Sequence, residues 1–224
     1  WPEYISTDLV SFENRAGKIS NSDLEMAGLL LLWLCLEGTA PDLAHKHVAL
    51  FSDNSPTVSW VTKMASKKSR VAAQLVRALA LRLNISRLCP LTPVHIPGVE
   101  NALTDIPSRS FGSVAEWHCK SDNDLLTLFN SKFPLPNQAS WTVFKFDTRV
   151  TTRVISALQM KGITLDEWQR LPTIGKHIGQ IGPNMSNLWD WTLTYRGCST
   201  RPKCVSSQGL PQESDKDTTA GEST

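Results

Sequence analysis

Three acidic residues stand where a carboxylate can do more than solvate a surface: Glu25 in "NSDLEMAG", Asp53 after the apolar run "HVALFS", and Asp105 in "NALTDIPSRS". Clustered carboxylates repel one another unless a cation lies between them, and hard oxygen donors suit Mg²⁺. Each also has a purely structural use. Ser22-x-x-Glu25 has the spacing of a capping box, in which the acid satisfies backbone N–H groups. Asp53 precedes Asn-Ser-Pro and can serve as a turn or cap, and Asp105 lies in the first turns of a short helix, where the dipole favours negative charge. His95 precedes Asp105 by ten residues and is either a satisfied strand histidine or a member of the same site. Residue types and spacing leave both uses open.

The elements that must position these residues alternate between helix and strand. Residues 1–20 read as strand-like pieces with a turn at Gly17, followed by a helix from about 22 to 37 that is apolar nearly all round and therefore expected to be buried on most faces. "HVALFS" (47–52) has the continuous apolar texture of a strand covered on both sides. Ser55-Pro56 supplies an N-cap and a first-position proline for a helix to about Ala65. Ser69 opens another, with Ala72, Leu75, Val76, Leu79, Ala80 and Leu83 at three-and-four spacing. "LTPVHI" (91–96) is a strand, "PG" a turn, and Asn101 begins a short helix. The alternation implies an α/β fold with at least partly parallel strands, whose sites gather beyond the carboxyl ends of the strands.

After Phe111 the texture changes. Residues 112–140 are polar and loop-like apart from "DLLTLF"; "SWTVFKF" reads as a strand, and "TTRVISALQM" and "TLDEWQRL" as short helices, the second with a Thr164/Glu167 capping box. "GKHIGQIGPN" lacks the GK[ST] order of a phosphate loop and reads as turns. The tail from Gly197 has a disordered composition.

The chain has 224 residues, 41% of them apolar and 20% charged, an ordinary globular balance. It begins at Trp1, with no Met, and is read as a fragment of a longer product. The run "MAGLLLLWLCL" is too short to span a bilayer and lacks the flanks of a signal peptide, so no membrane association is expected and the location is taken as intracellular. The five cysteines form no CxxC pair, and those in apolar segments behave as small hydrophobes. Cys198, Cys204, His118 and Cys119 match no usual zinc spacing. Net charge is +2 but uneven: between Asn54 and Val99 there is no acid, against Lys63, Lys67, Lys68, Arg70, Arg77, Arg82 and Arg87. Such a run is either a solvated helix face or a surface for a polyanion.

Taken together, "KISNSDLEMAG", "VALFSDNSPTVSWVTK" and "VHIPGVENALTDIPSRSF" resemble, in order and wording, the RNase H domain of retrotransposon reverse transcriptases. The resemblance covers residues 1–111 and implies an RNase H-like fold, a mixed sheet with flanking helices. It places metal-ligand roles on Glu25, Asp53 and Asp105, with Asn101 and Ser108-Arg109 at matching motif positions. His95 takes the place of the mobile histidine on the loop before the last Asp. Residues 112–196 look like a small irregular α+β extension that follows this domain in some retrotransposon polyproteins, and 197–224 form a disordered tail. The family's first Asp lies on an opening strand in a "DAS"-like context. Neither Asp8 nor Asp23 fits it, so that strand is expected to precede Trp1 and the fragment to be inactive.

What the resemblance implies is hydrolysis of the RNA strand of an RNA–DNA hybrid with two Mg²⁺ ions, Mn²⁺ being an alternative. The partners are then the hybrid and an upstream reverse transcriptase domain of the same polyprotein. Asn54, Lys63, Lys67, Lys68, Arg70 and Asn101 become the nucleic-acid contacts, the basic ones through phosphates. Two other readings stand beside it. One is a non-catalytic nucleic-acid-binding or connecting domain of the same fold. The other is an integrase or transposase, which the acidic order Glu-Asp-Asp disfavours.

Overall fold

The structure, a computed structural model, describes residues 1–39, 47–86, 91–110, 119–135, 140–143 and 146–171, all within one unit, Trp1–Gly179. It opens with a single helical turn, α1 (Glu3–Ser6), where strand was expected. Leu9 and Ile19 then form an isolated parallel bridge. Gly17 is required in the loop between them: a Cβ there would sit 2.5 Å from the carbonyl carbon of Leu9.

The longest apolar run becomes α2 (Asn21–Thr39), which buries Leu24, Met26, Ala27, Leu30, Trp33 and Leu34. One narrow line stays open: Glu25 is exposed, a Cβ at Gly28 would meet nothing, and Leu32 is 47% exposed. The helix is capped two residues earlier than Ser22-x-x-Glu25 suggests. Ser20 is the cap: the Asp23 amide donates to Ser20 Oγ (3.2 Å), and the Ser20 amide donates to Asp23 Oδ2 (2.8 Å). Glu25 is thereby released from capping.

Strand β1 (Val48–Ser52) pairs in parallel with β2 (Leu91–His95), in register from Val48↔Leu91 to Ser52↔His95. Between them run α3 (Ser55–Lys63) and α4 (Arg70–Ser86). The fold is thus mixed α/β, with two strands in its sheet among the described residues. Coverage on both faces, expected for β1, is not found: Leu50 is buried while Ala49 is exposed and Phe51 is 60% exposed. Among the helices, α3 packs on the pair, and no described element covers Phe51.

The cap of α3 is Asn54 rather than Ser55. Its Oδ1 accepts the Thr57 amide at 3.0 Å, and Pro56 falls in the first turn. Met64 ends the helix in the left-handed region at φ 45°. Ser69 caps α4 as expected, Oγ accepting the Ala72 amide at 3.0 Å. The same hydroxyl donates to Asp23 Oδ1 at 2.5 Å. At the other end of the pair Glu37 of α2 meets Arg82 and Ser86 of α4. Joined start to start and end to end, α2 and α4 run parallel. Asp23, 2% exposed, lies where both helix N-termini converge and is bonded to the caps of both helices.

Helix α5 (Ala102–Ser108) follows a 3-10 turn at Gly98–Glu100. Downstream, α6 (Asp122–Lys132) forms on "DLLTLF", the stretch set apart from the loop-like residues, and runs a few residues past it at each end, begun by a Ser121/Asp124 capping box. Leu125 and Phe129 of α6 cluster with Ile106 of α5. Ser140–Val143 form no strand. Trp141 is instead tied to α6, its amide donating to Asn130 Oδ1 (2.9 Å) and its Nε1 to the Phe133 carbonyl (2.7 Å). Helices α7 (Thr148–Leu158) and α8 (Leu165–Gln169) lie where expected, the latter with the Thr164/Glu167 box. Val150, Val154, Leu158 and Trp168 are buried, α7 packing on α2 and α4 and α8 on α4. "GKHIGQIGPN", the tail from Gly197, Arg87 and the zinc-spacing residues other than Cys119 lie outside the described residues. Burial pushes the Cys35 thiol up to about 11, as befits an inert core residue. No described helix is long and apolar enough to cross a membrane.

Candidate functional site

A parallel pair in register brings the ends of both strands to one place. The Ile96 amide donates to the Ser52 carbonyl (3.0 Å), so Asp53 and the Pro97-Gly98 turn leave the sheet side by side. The side chain of His95 does not stand on a loop: it ends β2, with Nε2 3.2 Å from the Asp53 carbonyl oxygen. Gly98 approaches the carboxylate itself, a Cβ there falling 3.4 Å from Asp53 Oδ2.

Asp53 is half-buried, and its Oδ1 accepts a hydrogen bond from Asn101 Nδ2 at 2.9 Å. Capping, its structural alternative, falls to Asn54. Asp105 lies one turn into α5 and pairs with the exposed Arg109 at 3.2 Å. Glu25 is delivered from α2, whose first turn is tied to α3 by Thr57 Oγ1 donating to the Ser22 carbonyl (3.2 Å).

Asp53 and Asp105, drawn from separate parts of the chain, both act on Glu25. Partial loss of water raises the Glu25 carboxyl above its ordinary range, and repulsion from Asp53 and then Asp105 raises it further. Among the described residues no opposite charge or hydrogen-bond donor offsets that rise. An acid in this position is stabilised by a cation. The donor set, all carboxylate oxygen, fits Mg²⁺ or Mn²⁺ in kind. The cage is not closed: among the described residues no three of Asp, Glu, His or Cys gather into a ready-made metal group.

Part of the basic run lies near the first turn of α2. Lys63, Lys67, Lys68, Arg70 and Arg77 are exposed. Ser69, flanked by Lys68 and Arg70, reaches Asp23, two residues from Glu25, so the turn between α3 and α4 lies beside the first turn of α2. Arg82 does not belong to this surface: it is 3% exposed and paired with Glu37. Asn54 is occupied as a helix cap and Asn101 as a partner of Asp53.

Sequence reasoning weighed Asp23 only against the opening-strand position and missed it as the capping acid. Ser20-x-x-Asp23 has the same pattern as Ser22-x-x-Glu25, two residues earlier, and the choice between them decides which acid is free. Compared with known proteins, the chain matches no family model, and neither a curated protein nor a solved structure matches it.

Proposed function

We propose that the chain is an RNase H-like endonuclease domain of a retrotransposon polyprotein, acting on the RNA strand of an RNA–DNA hybrid. The observation that carries this reading is the convergence on Glu25 of α2 of Asp53, just beyond β1, and Asp105 of α5, both of which repel its charge beside the loss of water. These three would hold Mg²⁺, which when bound activates water and stabilises the leaving oxygen. Lys67, Lys68 and Arg70 bind phosphate beside them, giving salt-dependent affinity. The hybrid's shallow minor groove, with its 2′-hydroxyls, distinguishes RNA from DNA. An upstream reverse transcriptase domain is the expected partner and the cell interior the expected location. The resembled family uses four acids and this chain supplies three, so little or no cleavage is expected from it alone.

A second reading, a nucleic-acid-binding domain of the same fold without catalysis, is favoured by the open metal cage. The test is Mg²⁺-dependent cleavage of a labelled hybrid by a protein extended upstream, beside the same protein carrying Asp53→Asn. Cleavage that disappears in the variant supports the first reading. Equal cleavage by both removes Asp53 from the metal site. Binding without cleavage in either favours the second reading.

A further inference from the structure

An asparagine at the residue that opens a helix ordinarily turns its side-chain oxygen back to accept an amide of the first turn. Asn101 opens α5 and makes no such bond. Its Nδ2 instead donates to Asp53 Oδ1 at 2.9 Å. Its main-chain oxygen accepts the amides of Thr104 (3.1 Å) and Asp105 (3.0 Å). One half-buried residue therefore grips the carboxylate beyond β1 with its side chain and the backbone of Asp105 with its main chain.

The chemistry of the grip is specific. An amide is a neutral donor, so it fixes one oxygen of Asp53 without cancelling the negative charge that a cation needs. A lysine or arginine in its place would neutralise Asp53 and repel the ion. With Oδ1 engaged, the other oxygen, Oδ2, lies beside Gly98, where no side chain intrudes. Groups that orient a metal-binding carboxylate in this way control affinity without touching the metal.

We infer that Asn101 is a positioning residue that fixes Asp53 relative to Asp105, a role distinct from nucleic-acid contact. The inference rests on the reading of the three carboxylates as a cation site. Asn101→Ser tests it, because serine can still cap α5 but is too short to reach Asp53. Mn²⁺ is titrated into the full chain while paramagnetic broadening of the amide signals around Glu25, Asp53 and Asp105 is followed by NMR. The expected result is affinity weakened about ten-fold, with the hydrogen-exchange protection of α5 unchanged.

Broadening in Asn101→Ser at the wild-type Mn²⁺ concentration overturns the positioning role alone. Failure of the wild-type signals to broaden removes the cation site, and the role with it. A second measurement stands even where Asn101→Ser fails to fold. The side-chain amide of Asn101 should exchange slowly with solvent in the wild type and faster in Asp53→Ala. An amide indifferent to that substitution shows that the grip does not exist.

Discussion

Glu37 and Arg82 meet across the seam between α2 and α4 with side chains only 3% and 4% exposed. Trp33 Nε1 (2.8 Å) and Ser86 Oγ also donate to Glu37, and Arg82 Nη1 reaches the carbonyl of Gln169 at 3.3 Å. Removing one member of a buried pair leaves an uncompensated charge and costs about 3–5 kcal/mol, whereas an apolar replacement of both is often close to neutral. Arg82→Met should therefore lower stability by that amount in urea unfolding. Adding Glu37→Leu should recover most of the loss. A single variant as stable as wild type would mean that the pair is not formed in solution.

Asp23 serves two helices at once, so its loss should be felt in both. Loss of a cap costs about 0.5–2 kcal/mol, and stranding buried donors about 1–3 kcal/mol. Asp23→Ala should destabilise the chain by about 1.5–5 kcal/mol on those two grounds. Amide exchange should quicken in the first turns of α2 and α4 together. Quickening confined to α2 would show that the Ser69 bond contributes nothing.

Gly17 has no room for a methyl group, because a Cβ would press on the backbone of Leu9 and Val10 rather than on a movable side chain. Gly17→Ala should cost about 1–3 kcal/mol, as overpacking does. The shift should appear in thermal denaturation, with the largest chemical-shift changes at Leu9 and Val10. A melting temperature equal to that of wild type would show that the loop is looser than described.

Glu25 should make stability fall as pH rises. Its folded-state carboxyl is raised, first by loss of water and then by Asp53 and Asp105. The native state therefore binds the proton more tightly than the unfolded chain does. In the window between the ordinary value of 4.5 and the raised one, the native state carries more protons, and stability declines with pH. Above the window the ionised acid is a standing penalty, and below it the penalty is absent. Glu25→Gln should accordingly be more stable than wild type at neutral pH, and the advantage should vanish in acid. A difference independent of pH would disconnect Glu25 from the other two carboxylates.

Elements with strong local signals were legible in the sequence. The apolar period of α4, the Thr164/Glu167 box and the strand pattern of "LTPVHI" each became the expected element. Where two residues offered the same signal, the period could not choose. Ser20 and Ser22 both stand three residues before an acid, and Asn54 and Ser55 are both good caps. At the first pair a tertiary contact decided, Ser69 reaching Asp23 from α4; at the second a local one did, Thr57 donating to Asn54. In Ser140–Val143 the strand texture gave way to the bonds that tie Trp141 to α6 and Phe133. At the site, type and order single out Glu25, Asp53 and Asp105 as candidates, while the partner of Asp53 and the buried fate of Arg82 depend on contacts far apart in the chain.

The double attachment of α2 to α4 has a mechanical consequence. Two rods pinned at both ends, one about 25 Å long by its 17 residues, form a braced frame that resists shear. Neither helix can slide along its neighbour or pivot about a single joint without breaking a bond to Asp23 or Glu37. Glu25 rides on one rod and Arg70 on the other. Their spacing is therefore set by the frame and insulated from movement in the loops that lead to it.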